Sequence, residues 1–271
     1  MNHRAALAIV AMMAVACGQT PATPTKQQPP HVFLIVMENH SPSQAMRGQF
    51  TASLTAKYRV ADNYRAITHP SVPNYLALTS GKTWGVRDDS YYSLPAEDLG
   101  TQLTNAGVSW RAYMEGMDSR GCLDSPPPYD PGHNPFAYYG GRCPPNVVPL
   151  TQLSTDLAGK TPQFTWISPD MCHDTHDCSV SVGDSWLRTQ VGEITASKAW
   201  KDGGILFITW DEDDGSTNNR VLTLVIAPRK SHLTSSKQYN HYSLLATIED
   251  LMGVGRLGAA AQATPMTDLI N

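Results

Sequence analysis

The sequence predicts an α/β fold in which a mostly parallel sheet is covered by helices on both sides. Strand patterns alternate along the chain with helix patterns, as expected when helical crossovers join parallel strands. Several strands are apolar on both faces, which is typical of a parallel sheet that is covered on both sides. The chain has 271 residues and 41% hydrophobic content, enough for one large domain with a substantial core. The net charge of −4, without a basic stripe, argues against nucleic-acid binding.

Five segments have strand patterns and five have helix patterns. The strands are residues 32–37, 108–115, 163–168, 204–210 and 221–227. The helices are residues 43–58, 73–80, 96–106, 184–200 and 241–252. Pro73 in the first turn of the second helix and Gly81 after its end occupy the usual positions of these residues. Residues 118–149, rich in Pro, Gly, Tyr and Cys, predict a long loop of a kind that is usually functional or an insertion.

The N-terminal segment has the pattern of a secretory signal peptide over residues 1–17. Its positively charged start precedes an apolar stretch that is too short to span a membrane. The residues around Cys17 resemble a lipoprotein cleavage site, at which Cys17 would be acylated; ordinary cleavage near Ala16 is the alternative. Residues 18–30 are rich in Pro, Thr and Gln and predict a flexible tether. The folded domain is therefore expected over residues 31–271 of an exported protein.

Four further cysteines follow the tether, and an even number in an exported chain predicts two disulfides. Three pairings are possible. We favour the local pairing, Cys122 with Cys143 and Cys172 with Cys178, because both pairs lie in loops that have little else to hold them. A zinc site is the less favoured alternative, since the chain contains no C-x-x-C pair.

Polar side chains follow three of the predicted strands at the point where each strand ends. Glu38 and Asn39 follow the first strand, residues 169–177 follow the third, and Asp211 and Glu212 follow the fourth. Ligands of parallel sheets bind beyond the carboxyl ends of the strands, so we expect these side chains to meet at one edge. Their convergence predicts a polar, metal-assisted site.

The adjacent acids Asp211 and Glu212 indicate a cation. Neighbouring carboxylates repel each other unless a cation or hydrogen-bond donors compensate them. With Glu38 and Asn39 they form an all-oxygen set, which suits one divalent ion such as Mg²⁺ or Ca²⁺. A solvated acidic loop is the alternative, and the two acids that follow are expected to be turn residues before Gly215.

Ser71 is a candidate nucleophile. If Pro73 opens a helix, Ser71 lies just ahead of the helix N-terminus, where free N–H groups and the helix dipole favour an anion. A serine hydroxyl that contacts a metal there could attack a phosphorus atom. The alternative is that Ser71 only caps the helix.

His173 and His176 are the candidate acids. If Cys172 and Cys178 pair, both histidines lie in one small disulfide loop. They could bind a transition metal, contact phosphate oxygens or protonate a leaving group, and a plain surface loop is the alternative. His241, which opens the last helix, fits a helix-end or core contact better than catalysis.

Five segments stand in a consistent order between about residues 31 and 255. They are V-M-E-N-H-S, H-P-S-V-P-N-Y-L-A-L-T-S-G, the D-x-H-D of residues 174–177, T-W-D-E-D-D-G, and N-H-Y-S-L-L-A-T-I-E-D-L-M-G. Together they resemble the phosphoesterase family of bacterial acid phosphatases and phospholipases C, within the alkaline phosphatase superfamily. The resemblance implies an alkaline phosphatase-like, three-layer α/β/α sandwich and a transiently phosphorylated nucleophile.

The resemblance also implies roles for individual residues. Ser71 matches the nucleophile, which contacts the metal, and Glu38 and Asn39 match metal ligands. Asp211 and Glu212 match the paired acids, with Glu where Asp is also used.

Among the histidines, the resemblance makes His176 the better match for a phosphate contact, with His173 second. His69 is a further candidate to assist the leaving alkoxide. No other ligands for a second ion are evident, so one ion is expected.

These expectations describe an exported, metal-assisted phosphomonoesterase. At this length the chain resembles small exported acid phosphatases, some of which dephosphorylate phosphoinositides. A phosphodiesterase or phospholipase C using the same site is the nearest alternative, and a non-catalytic binding lipoprotein is an alternative of another class. Membrane contact is expected only through a lipid on Cys17 or a lipid substrate.

Overall fold

The computed structural model describes residues 29–229 and 231–270. The predicted signal peptide and nearly all of the predicted tether lie outside these residues. Eight strands form one sheet in the order β4-β3-β5-β1-β6-β7-β2-β8. The strands are β1 (Val32–Met37), β2 (Arg59–Arg65), β3 (Trp110–Met114), β4 (Val147–Pro149), β5 (Phe164–Ser168), β6 (Ile205–Trp210), β7 (Thr223–Ile226) and β8 (Leu233–Asn240). Only β7 among these runs against its neighbours β6 and β2, so the predicted mostly parallel sheet is confirmed.

The helices form two packed groups. They are α1 (Pro42–Ala45), α2 (Gln49–Thr55), α3 (Ser71–Ser80), α4 (Leu99–Asn105), α5 (Leu153–Ala158), α6 (Val180–Ala196), α7 (Lys198–Lys201) and α8 (His241–Met252). Helix α3 packs against α4 and α8, whereas α6 packs against α2, α5 and α7. Within the described ranges, no helix combines the length and apolar character needed to cross a membrane.

Strand β1 lies near the middle of the sheet and is buried on both faces. Met37 points toward α6, because a side chain at Gly183 of that helix would approach its Cε to 3.2 Å. Glu38 points to the other face, where Ser71 and Tyr75 of α3 donate hydrogen bonds to it. Helices therefore cover both faces, and the predicted three-layer sandwich is confirmed.

The predicted continuous helix at 43–58 is wrong, because the chain breaks at Gly48 between α1 and α2. The Asp184 carboxylate of α6 accepts hydrogen bonds from the backbone N–H groups of Phe50 and Thr51, at 2.9 and 2.8 Å. A Cβ at Gly48 would lie 2.7 Å from the Asp184 Cγ. The Asp184 carboxylate thus satisfies backbone N–H groups in the first turn of α2, and the absence of a side chain at Gly48 leaves space for it.

The predicted helix at 184–200 is displaced and interrupted. Helix α6 begins at Val180, and Ser197 separates it from α7 by accepting a hydrogen bond from the Trp200 N–H at 3.1 Å. The predicted helix at 96–106 begins later, because the Asp98 side chain caps α4.

Strands β2 and β8 were not predicted. Their sequences, R-V-A-D-N-Y-R and L-T-S-S-K-Q-Y-N, are largely polar. Strand β8 is an edge strand with most of its residues exposed, and β2 beside it is only partly buried. Strand β2 matters for the site, since it runs parallel to β8 and its carboxyl end leads directly into α3.

The favoured disulfide pairing is confirmed, and the cysteine zinc site is wrong. Cys122 pairs with Cys143 across a Cα–Cα distance of 5.6 Å, and Cys172 pairs with Cys178 across 4.7 Å. The first bond closes the long loop, which also contains β4. The second closes the loop that follows β5.

Two glycines of α6 provide a matched test of the packing between that helix and the loop after β5. A Cβ at Gly183 would contact the Thr175 methyl group and lie 2.7 Å from the His173 carbonyl oxygen, whereas a Cβ at Gly192 would meet nothing within 4 Å. We expect Gly183→Ala to lower the free energy of unfolding by about 1–3 kcal/mol through overpacking. Gly192→Ala should leave it unchanged or raise it by up to about 1 kcal/mol. Urea unfolding of both variants measures this, and equal effects would contradict the packing described.

Candidate active site

Three strands that run in the same direction deliver the central residues of the site to one edge of the sheet. Glu38 directly follows β1, Asp211 directly follows β6, and β2 leads through a short segment to Ser71. The Ser71 hydroxyl donates a hydrogen bond to Glu38 Oε2 at 3.1 Å. The Asn39 backbone N–H donates to Asp211 Oδ1 at 3.2 Å. Residues far apart in the sequence therefore meet around one hydroxyl.

Ser71 is the first residue of α3, not a residue ahead of it, so the predicted helix start is corrected by two positions. Its hydroxyl bonds Glu38 and does not cap the helix. The Val72 N–H, which was expected to be free, donates to Asp89 Oδ1 at 3.0 Å. A carboxylate thus already occupies part of the helix N-terminus.

Asn74 fixes the segment that precedes Ser71. Its side-chain oxygen accepts the backbone N–H groups of Ile67 and Thr68, at 2.9 and 3.1 Å. Its amide donates to Glu212 Oε2 at 3.2 Å. A fully buried asparagine therefore ties the segment before Ser71 to the acids after β6.

Glu38, Asp211 and Glu212, here called the carboxylate cluster, are all buried. Burial and the charges of Asp211 and Asp174 raise the pKa of Glu38 well above its usual value. Burial and the charge of Asp211 raise the pKa of Glu212 to about 9. The pKa of Asp211 is also raised, mainly by burial.

The carboxylate cluster fits a divalent cation. Asp211 Oδ2 is buried and has no hydrogen-bond partner, so it is an oxygen with an unused lone pair. Hard cations take such oxygens as ligands, and their charge would offset the repulsion that raises these pKa values. Asn39, at φ 53°, lies directly beside the cluster.

The predicted histidines lie in three different places. His69 lies at the mouth of the site, with Nδ1 3.0 Å from Glu212 Oε2. His176 is partly exposed, with Nδ1 2.8 Å from Asp177 Oδ1. His173 is directed instead to Glu115, with its Nδ1 3.0 Å from Glu115 Oε2.

The structure adds His133, which the sequence analysis did not single out. Its Nε2 lies 3.4 Å from Glu38 Oε1, its Nδ1 lies 3.1 Å from Asp174 Oδ2, and its ring stacks on Tyr75. Burial alone would lower the pKa of His133, but the hydrogen bond and charge of Asp174, with further acids, raise it. His133 lies in the long loop at 118–149, whose length was the only signal that could have drawn attention to it.

His241 and Asp213 have the structural roles that the sequence predicts for them. His241 is the first residue of α8 and is fully buried; its Nε2 lies 2.5 Å from the Asp211 backbone oxygen. Burial lowers the pKa of His241 to about 4, so it is neutral at ordinary pH. Asp213 accepts the Gly215 N–H at 2.7 Å, as expected of a turn residue.

Comparisons with known proteins agree on one family. The model of the Phosphoesterase family matches residues 23–255. A phosphatidylinositol-3-phosphatase of Mycobacterium tuberculosis is 31% identical over 252 residues, which cover 88% of this chain and 82% of that protein. A phosphate-repressible acid phosphatase of Penicillium chrysogenum is 28% identical, and the match covers 83% of this chain but 59% of that protein.

A solved structure agrees on the fold. A protein of the alkaline phosphatase superfamily from Vibrio parahaemolyticus superposes with a TM-score of 0.62 at 12% identity, covering 86% of this chain and 68% of that one. At this identity the likeness concerns the fold alone.

The raised pKa of Glu212 predicts how pH affects the metal-free protein. Its carboxyl holds a proton up to about pH 9 when folded but only to its ordinary pKa of 4.5 when unfolded. The folded state therefore binds more protons between these values, and the free energy of unfolding should fall as pH rises from about 4.5 to 9. Glu212→Gln, whose side chain cannot titrate, should show a smaller fall in the free energy of unfolding over this range. Saturating Mg²⁺ should likewise reduce the fall in the unchanged protein.

Thermal unfolding in chelator at several pH values measures this effect. Asp214→Asn is the matched control, because the Asp214 side chain lies in the same loop but is nearly unburied and its pKa is lowered. Its profile over this pH range should follow that of the unchanged protein. A metal-free protein whose stability does not fall with pH would contradict the expectation.

Proposed function

This chain belongs to the Phosphoesterase family and is a phosphoric ester hydrolase, and from that premise we propose that it is an exported, metal-assisted phosphomonoesterase with Ser71 as nucleophile. The observation that carries the proposal is the Ser71 hydroxyl, which begins α3 and bonds Glu38 at the edge of the carboxylate cluster. The relatives named as phosphatases support a monoester substrate, and a phosphoinositide headgroup is one candidate.

The residues that would hold a divalent cation are Glu38, Asn39, Ser71, Asp211 and Glu212. When bound, the cation would supply positive charge that favours ionisation of the serine hydroxyl and neutralises phosphate oxygens. Mg²⁺ and Ca²⁺ are the ions that this all-oxygen set suits best.

Glu38 orients the nucleophile. Its Oε2 accepts the Ser71 hydroxyl, and its Oε1 is held by the Tyr75 hydroxyl at 2.5 Å. Ser71 Oγ then attacks phosphorus in line while its proton passes along the hydrogen bond to Glu38 Oε2, so that the Oγ–P bond forms as the bond to the leaving alkoxide breaks. Water hydrolyses the phosphoserine in a second step.

His133 is the residue best placed to act as a cationic partner of the phosphate or as a proton donor. Asp174 holds its Nδ1, and its pKa is raised, which favours the imidazolium form. An imidazolium beside the reacting phosphate stabilises its negative charge and carries a proton for the leaving oxygen. His69 and His176, both more exposed, are placed to contact the organic part of the substrate or the leaving group.

Export is the remaining part of the proposal. The signal-peptide pattern of residues 1–17 supports it, and two disulfides are typical of an oxidising compartment. Lipidation of Cys17 would place the enzyme at a membrane surface.

A phosphodiesterase or phospholipase C is the second candidate, since it would use the same nucleophile on a substrate with a second organic group. Release of product from a chromogenic phosphomonoester and from the matching diester separates the two. We expect the monoester to have the higher kcat/KM.

Replacing the nucleophile tests the mechanism directly. Ser71→Ala should lower kcat on a chromogenic phosphomonoester by at least about 1,000-fold, because no hydroxyl remains to form the covalent intermediate. Ser53→Ala, a helical serine bonded to its own helix, is the matched control and should retain full activity. Acid quenching followed by mass spectrometry should detect phosphoserine in the unchanged protein. A Ser71→Ala protein that turns over normally would exclude this mechanism, and a non-catalytic binding protein would show no turnover in any form.

The role of His133 is tested through its partner. Asp174→Asn removes the carboxylate that raises the pKa of His133, so the basic limb of kcat/KM should move to lower pH. Asp177→Asn is the matched control, since Asp177 contacts His176 instead. If the limb moves only in Asp177→Asn, His176 and not His133 is the titrating group.

A further inference from the structure

A second group of potential ligands lies at the same edge of the sheet, beyond β3 and β5 and on the other side of β1 from β6. Glu115 directly follows β3, Asp170 follows β5, and His173 lies in the disulfide loop. One ligand atom of each lies within 4.8 Å of the others. None of these residues belongs to the carboxylate cluster, and the mechanism proposed above uses none of them.

The spacing of the donor atoms matches a metal coordination sphere. His173 Nδ1 lies 3.0 Å from Glu115 Oε2 and 3.4 Å from Asp170 Oδ1. Ligands bound at about 2.1 Å from a metal are separated by roughly 3.0 Å in octahedral and 3.4 Å in tetrahedral geometry. Small side-chain adjustments would therefore let all three atoms face one ion.

Neighbouring groups hold both carboxylates in position. The Trp186 indole N–H donates to Glu115 Oε1, and the Asp170 backbone N–H donates to Glu115 Oε2, each at 3.1 Å. The backbone N–H groups of Cys172 and His173 donate to Asp170 Oδ1, at 3.1 and 2.9 Å. Such outer contacts orient metal ligands and raise affinity.

The site has room for further ligands. A cavity of about 590 Å³ opens beside His173 and Trp186 and is lined by hydroxyl side chains, including Ser181, Ser185 and Thr189. Water molecules from this cavity could complete the coordination of an ion. A hydrogen bond between His173 and Glu115 is the competing explanation of the same distances, and the two explanations differ in their response to metal.

We propose that Glu115, Asp170 and His173 form a second metal site that binds a divalent transition-metal ion such as Zn²⁺. A mixed nitrogen and oxygen set selects such ions over Mg²⁺ and Ca²⁺. The Asp174 N–H donates to the Asp170 carbonyl oxygen at 2.9 Å, and Asp174 in turn holds His133. An ion at this site therefore fixes the loop that positions His133. The binding proposal stands whether or not Ser71 is the nucleophile.

Cobalt provides the direct test, because its visible absorption reports its ligands. The full protein is stripped with chelator and titrated with Co²⁺ and, separately, with Zn²⁺ by calorimetry. Asp211→Asn, which damages the carboxylate cluster, should keep the binding event assigned to the second site. His173→Asn and Glu115→Gln should weaken that event by at least about tenfold. His176→Asn, in the same loop, should leave it unchanged.

Thermal unfolding provides a second readout that is independent of activity. Zn²⁺ should raise the Tm of Asp211→Asn, because it binds the folded state at the second site, but should not raise that of the double variant Asp211→Asn/His173→Asn, in which both sites are damaged. If that double variant fails to fold, Asp211→Asn/Glu115→Gln, which keeps an acceptor for Trp186, is measured in its place. The proposal is overturned if Asp211→Asn binds neither metal, or if both ligand variants bind as tightly as the unchanged protein. Loss of turnover in Asp211→Asn would concern the proposed function alone.

Discussion

The mutual repulsion of the carboxylate cluster is the constraint on which the rest of this edge of the structure depends. Burying one carboxylate is costly, and burying several close together is costlier unless protons, donors or a cation compensate them. Surrounding residues compensate part of this cost. Tyr75 donates a hydrogen bond to Glu38, and the buried His241 contacts the backbone oxygen of Asp211. Asp211 Oδ2 remains without a donor. The carboxylate cluster therefore favours a positive charge between its oxygens.

The loop between Cys172 and Cys178 connects the carboxylate cluster to the other side chains at this edge of the sheet. Glu38 N–H donates to the Asp174 carbonyl oxygen at 3.0 Å, and the Thr175 hydroxyl donates to the Glu38 carbonyl oxygen at 3.1 Å. Thr175 has a φ of 83°, which is strained for a β-branched residue. Just before this position, Asp174 contacts His133, whereas the adjacent His173 contacts Glu115. Gly183 leaves the space that the Thr175 methyl group needs.

The sequence predicted the centre of the sheet better than its edges, for a physical reason. Strands β1, β5 and β6 are buried on both faces and are therefore mostly apolar, whereas β2 and β8 are largely polar because part of each strand meets solvent. The strand ends that carry Glu38 and Asp211 could thus be located, but the strand that leads to Ser71 could not. His133 was missed because it reaches the site from a long loop, where no periodicity links sequence position to direction. The orientation of His173 depends on Glu115, a contact between distant residues that only the tertiary structure reveals.

The raised pKa values place opposite limits on the pH at which the proposed chemistry can run. Protons and a cation compete for the same oxygens of Glu38 and Glu212, so acid weakens metal binding. The pKa of His133 is also raised, so its imidazolium form persists at higher pH than that of an ordinary histidine and is lost only as the pH rises further. Asp89, bonded to the Val72 N–H, adds negative charge where a phosphate would approach the helix. In the proposed mechanism, attraction for the substrate would therefore come from a bound cation and from His133 rather than from the helix N-terminus, and acid weakens the first contribution while alkali removes the second.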